Sequence, residues 1–69
     1  MEPLAAALEV LGEADGPLHW TVIQDRALRS GRLDPFADPD VRRHLLAALA
    51  EGVRAGSIVK VSTGTYALP

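Results

Sequence analysis

The adjacent pair Arg42-Arg43 is the feature of this chain best suited to gripping another molecule. A guanidinium is a planar fork of N–H donors that fits phosphate oxygens or the O6/N7 edge of guanine. Lys60 and the hydroxyls of Ser62 and Thr63 lie farther along and could add contacts to a phosphate backbone. Of the two histidines, His44 could join the arginines on a phosphate, while His19 suits a structural hydrogen bond. Other chemistry is poorly served. Cysteine is absent, so neither a disulfide framework nor a thiolate zinc site can form. The histidines are not paired at metal-binding spacing. Asp34, Asp38 and Asp40 cluster, but the calcium-loop spacing and its distant Glu are missing, and helix capping explains Asp38 and Asp40 more simply. No Ser/His/Asp or Cys/His set forms a site, and no glycine loop cradles a phosphate, so neither an enzyme nor a cofactor is expected.

Those residues need a scaffold, and the chain is long enough for one domain, residues 1–69. A chain this short buries only about 60% of its unfolded surface, so its core must be thin and efficiently packed. The apolar fraction of 48% is mostly Ala, Leu and Val, with Trp20, Phe36 and Tyr66 as the aromatics, which suits closely packed short helices. Net charge is −2, which counts against nucleic-acid binding through the overall field unless Arg and Lys concentrate locally. No apolar run approaches the roughly 20 residues that cross a bilayer, and Met1–Gly12 lacks a basic secretory n-region. A soluble, cytoplasmic chain with no membrane partner and no small-molecule substrate is the expectation.

The first helix is expected over residues 3–14, with Pro3 in its first turn and Leu4, Leu8 and Leu11 as its apolar stripe, filled around by Ala5, Ala7 and Ala14. Asp15-Gly16-Pro17 ends it. A second helix spans residues 21–30, with Thr21 and Gln24 at capping-box spacing and Ile23, Ala27 and Leu28 facing inward. Ser30-Gly31 closes it. Residues 31–38 read as loop. The third helix is expected over residues 39–55, with Asp38 as cap, Pro39 in the first turn and Gly56 as the stop. Val41, Leu45, Leu46, Ala48, Leu49 and Val53 form its core stripe, and Gly52 lets a neighbour approach. Turning that helix by about 100° per residue puts Asp40, Arg43, Ala47, Ala50, Glu51 and Arg54 on the opposite face, with Arg42 at the flank of the core and His44 on the other side. The period then changes to that of a hairpin, strands 58–61 and 65–68, around a Ser62-Thr63-Gly64 turn. Leu18 could add a third strand at its edge. The order is that of a winged helix-turn-helix, an α+β fold that is mainly α.

Several of these segments resemble one known group. Gly16-Pro17-Leu18-His19-Trp20, then Ile23, Ala27-Leu28, Gly31 and Leu33, and finally Val59-Lys60-Val61 with Gly64-Thr65-Tyr66-Ala67-Leu68, resemble the HARE-HTH domain. That winged-helix module occurs in Additional sex combs-like chromatin proteins, some restriction endonucleases and the delta subunit of bacterial RNA polymerase. The resemblance spans nearly the whole chain and implies a DNA-binding or transcription-apparatus module. The chain departs from the pattern in its uncharged Ser62-Thr63 turn, where related hairpins often carry a basic residue, and in its acidic loop before the third helix.

The expected function is DNA binding in transcription or DNA processing, with the third helix in the major groove. Arg42, Arg43, His44, Ala47 and Arg54 would line that helix, and Lys60, Ser62 and Thr63 would reach from the wing. Ala47 and Ala50 would permit close approach and could touch a thymine methyl. The plainer alternative is solvated charge, with Asp40 and Glu51 pairing the arginines instead. A second expectation is a protein-interaction module docking on RNA polymerase or another nucleic-acid enzyme, motivated by the acidic loop and by Phe36. Phe36 either folds back on the core or serves as a partner anchor. A third is that a fused effector supplies the specificity.

Overall fold

Pro3 opens α1 (Pro3–Glu13) at a position where its missing N–H has no helical carbonyl to reach. The computed structural model describes the whole chain, Met1–Pro69. The buried arc of α1 is Ala6, Ala7, Val10 and Leu11. This corrects the expected leucine stripe, because Leu4 and Leu8 sit half-buried at the rim while Ala6 and Val10 lie at the centre. The reason is that α1 packs against both later helices at once, and small residues at the centre of the arc let them come close.

A two-residue strand, β1 (Leu18–His19), leads directly into α2 (Trp20–Arg29). The expected Thr21-Gln24 capping box does not form. His19 is the cap instead, and its Nδ1 accepts from the Thr21 N–H at 3.3 Å and lies 2.8 Å from the Thr21 hydroxyl. Strand pairing explains the shift: with His19 held extended on the sheet, the helix starts one residue early, and the Trp20 N–H donates to the Gly64 carbonyl at 2.8 Å. That bond satisfies one of the donors a helix start leaves open. The Gln24 side-chain oxygen, freed of its expected role, is buried without a partner. Ile23 and Ala27 face the core as expected.

After α2, Arg32 fastens the loop to α1. Its guanidinium bonds Glu9 at 2.9 Å and also Glu13, and these two hydrogen bonds raise its pKa further above the ordinary arginine value. Helix α3 (Val41–Ala55) begins two residues later than expected. Asp38 caps no helix, because Pro39 and Asp40 form a turn first; Asp38 Oδ1 accepts the Asp40 N–H at 3.0 Å within that turn. Gly56, at φ 83°, ends α3 in the left-handed conformation that residues with a Cβ rarely adopt. The inward face of α3 is Val41, Leu45, Ala48, Leu49 and Gly52. A Cβ at Gly52 would come within 2.8 Å of Ile58 and 3.2 Å of Leu4, so this glycine does allow the close approach expected of it.

The hairpin is β2 (Val59–Ser62) and β3 (Thr65–Ala67), joined through Thr63-Gly64. The sheet order is β1-β3-β2, all antiparallel, so the Leu18 segment does supply the third strand. Ile58 and Leu68, expected in strands, lie just outside them, and Ser62, expected in the turn, pairs with Thr65 across a bulge that follows Lys60. Ile58 is spared for the core, where it joins Val10, Ile23, Leu45 and Leu49 as a fully buried side chain. Tyr66 docks the sheet on that core, and no charged side chain is buried. Three helices with a three-stranded antiparallel sheet ending in a hairpin make this an α+β winged-helix architecture, mainly helical.

Candidate nucleic-acid interface

The core takes one side of α3 and leaves the opposite side to solvent, and that division places the candidate residues. Arg43, Ala47, Ala50 and Arg54 recur at the helical spacing of four, three and four residues, so they form one outward row three turns long. All four are exposed. The two alanines between the arginines leave the middle of the row low. A duplex groove or any smooth surface can therefore approach the helix backbone, with a guanidinium at either end. Arg54 makes no ion pair, whereas Arg43 bonds Asp40 Oδ2 at 3.0 Å. That pair is open to water on both sides, so a phosphate could displace the carboxylate at little cost.

The other expected site residues fall elsewhere. Arg42 leans towards α2, its guanidinium carbon 6.0 Å from the centre of the Trp20 ring, within cation–π range. His44 sits on the far flank, its Nδ1 2.7 Å from Asp38 Oδ2. That hydrogen bond is the main reason the Asp38 carboxyl is held below its ordinary value. Lys60 pairs in register with Tyr66, so it roots on the core-facing side of the sheet and reaches water at the β2 edge. Ser62 and Thr63 are exposed at the hairpin end. The row therefore unites Arg43, Ala47 and Arg54, while Arg42, His44 and Lys60 stand beside it rather than in it.

A groove of about 420 Å³ runs between the start of α1 and the His44 flank of α3. Glu2, Asp38 and Glu51 line it together with His44, over a floor of Pro3, Leu4, Ala47 and Ala48. No cluster of three or more His, Cys, Asp or Glu is placed to hold a metal ion. The charge around α3 is thus mixed, basic along the row and acidic on the α1 side. Phe36 does not fold back: it is 95% exposed at the top of the turn between α2 and α3. His19 serves the cap, and Tyr66 serves the core.

Ala50, already expected to permit close approach, and Arg32, which was not among the expected site residues, also contribute. Ala50 completes the row, and the rotation of the third helix already pointed to it. Arg32 positions the loop that carries Phe36 and Asp38; its one visible signal was the pair Glu9 and Glu13, four residues apart on the solvent face of a helix, which suits a shared cation. No helix is long and apolar enough to cross a membrane. Compared with known protein families, curated proteins and solved structures, the chain finds no match.

Proposed function

We propose that this domain binds duplex DNA in the cytoplasm, as a winged-helix module of the transcription or DNA-processing machinery. The outward row of α3 enters the major groove, Arg43 and Arg54 take phosphates or guanine edges, and Lys60 adds a contact from the wing. The observation that carries the reading is the row itself, basic at both ends, low in the middle and exposed along its whole length. The resemblance to HARE-HTH domains supports the same reading.

Few cations take part, so binding is weak and its salt dependence is modest. Three phosphate contacts release about three counterions' worth of free energy, giving a slope of about −2.7 in log affinity against log salt. Affinity for a random-sequence duplex, followed by fluorescence anisotropy, is then expected to fall roughly 40-fold between about 50 and about 200 mM salt. Absence of binding at the lower salt would overturn the proposal.

One observation favours a second reading, docking on a protein such as RNA polymerase or a fused effector. It is the near-complete exposure of Phe36 beside three aspartates, a surface that duplex DNA would avoid.

A further inference from the structure

Phe36 is the largest apolar side chain the fold leaves open to solvent, and the backbone around it is tied down. Asp34 Oδ1 accepts the Phe36 N–H at 2.9 Å, and the Asp38 N–H donates to the Asp34 carbonyl at 2.9 Å. Asp38 then accepts the Asp40 N–H and reaches His44 on α3, while Arg32 fastens the start of the loop to α1. Pro35 and Pro39 stiffen both shoulders. The ring is thus presented by an ordered turn that rests on two helices, so little ordering entropy is lost when it docks.

We propose that the Phe36 turn is a docking anchor for a protein pocket with an apolar floor and a rim of Lys or Arg. This rests on the second reading above and is independent of DNA binding. Charge identifies the partner. Asp34 and Asp38 belong to the turn that carries the anchor, Asp40 follows it in the chain and pairs with Arg43, and Glu2 and Glu51 line the groove that Asp38 borders. That acidity repels a phosphate backbone, an anionic lipid surface and a second copy of the same turn, and it complements a cationic rim. Phe36 supplies affinity, and the carboxylates supply steering and choice of partner.

The test places a photoreactive phenylalanine analogue at position 36 of the full chain, in the cells that make it. Val22, exposed on α2, is the control position. The crosslinked peptide is located on the partner, which is then titrated against purified chain. Expected are a crosslink from position 36 alone, a pocket bordered by Lys or Arg, and binding that weakens with salt. Phe36→Ala is expected to lower affinity roughly 30-fold, as a hot-spot truncation does, with an unchanged melting curve because the ring touches no core. Asp34→Asn with Asp40→Asn keeps the turn's amide acceptor, removes two charges and weakens binding several-fold.

A crosslinked pocket with no basic rim, and affinity indifferent to the paired Asn changes, overturns the proposal and leaves protein docking standing. A crosslink to a second copy of the chain overturns it as well. No protein product from position 36 overturns both the anchor and the docking reading.

Discussion

Helix α3 shows solvent two surfaces that differ by a single step around its circumference. One holds Arg43, Ala47, Ala50 and Arg54; the other, one residue on, holds His44 and Glu51. The first borders α1 only through Ala47, and its one ion pair, Arg43 with Asp40, is open to water on both sides, so it stays basic. The second faces α1 and the turn before α3, which add Glu2 and Asp38 and make the flank acidic. The helix alone does not decide which side is cationic; its neighbours do. The same lesson separates two arginines. Arg43 keeps an exposed and dispensable partner, while Arg32 is held by two carboxylates of α1, its side chain only 18% exposed, and acts as a fastener.

Both surfaces depend on the inward side of α3, and breaking that side is expected to give the largest effect. Leu49 is fully buried at the centre of the helix. Leu49→Ala keeps helix propensity but empties core volume, at a cost of about 2–5 kcal/mol. A core in a chain this small rarely supplies more than about 3–5 kcal/mol of net stability. Urea denaturation should therefore show a variant close to unfolded, with both surfaces lost together. Ala50→Ser on the outward row should leave the midpoint nearly unmoved, because the site has no packing to lose.

The next effect is smaller and separates the two surfaces. If DNA lies on the row, Arg54→Ala removes one phosphate contact and should weaken binding roughly tenfold at about 50 mM salt, with a salt slope shallower by about 0.9. Glu51→Gln removes a carboxylate from the acidic flank and should tighten binding by about two- to threefold at low salt, the gain fading as salt screens it. Anisotropy titrations of both variants decide between the surfaces. Equal and unchanged affinities would mean that neither surface meets DNA.

Much of this arrangement was legible in the residues because its causes are local. Stop signals at Asp15-Gly16-Pro17, Ser30-Gly31 and Gly56 bound three helices, and the change of period after Gly56 announces the hairpin. The helical repeat put Arg43, Ala47 and Arg54 on one face without any knowledge of the fold. What was not legible depended on contacts far along the chain. Val10 displaced Leu4 and Leu8 from the centre of α1 because two other helices fixed which side faced in. His19 displaced Thr21 as the cap because β3 holds His19 extended and the Gly64 carbonyl takes the Trp20 N–H. Arg42 was expected at the flank of the core and does lie beside the row, but its partner there, Trp20, is a residue whose proximity periodicity cannot reveal. The acidity of the groove likewise needed Glu2 and Asp38 to arrive from separate segments.

The smallest expected effect concerns the link between Asp38 and His44, which ties the acidic flank to α3. His44 hydrogen-bonds the Asp38 carboxylate at 2.7 Å and holds it below its ordinary value of 3.8, with the Asp40 N–H and the nearby Arg43 acting in the same direction. A carboxyl whose folded pKa is depressed contributes stability that is complete above the unfolded pKa and is lost as pH falls through the folded one. The contribution is therefore present at pH values above about 4–5 and disappears in more acid solution. His44→Ala removes the main cause of the depression but keeps the backbone turn, since Asp38 still accepts the Asp40 N–H. Stability measured by urea denaturation should be lower in the variant above this window, and the gap between the two proteins should close as pH drops towards about 2–3. A gap that stays constant through the acid range would mean that His44 contributes by packing, and that the carboxylate holds the turn without it.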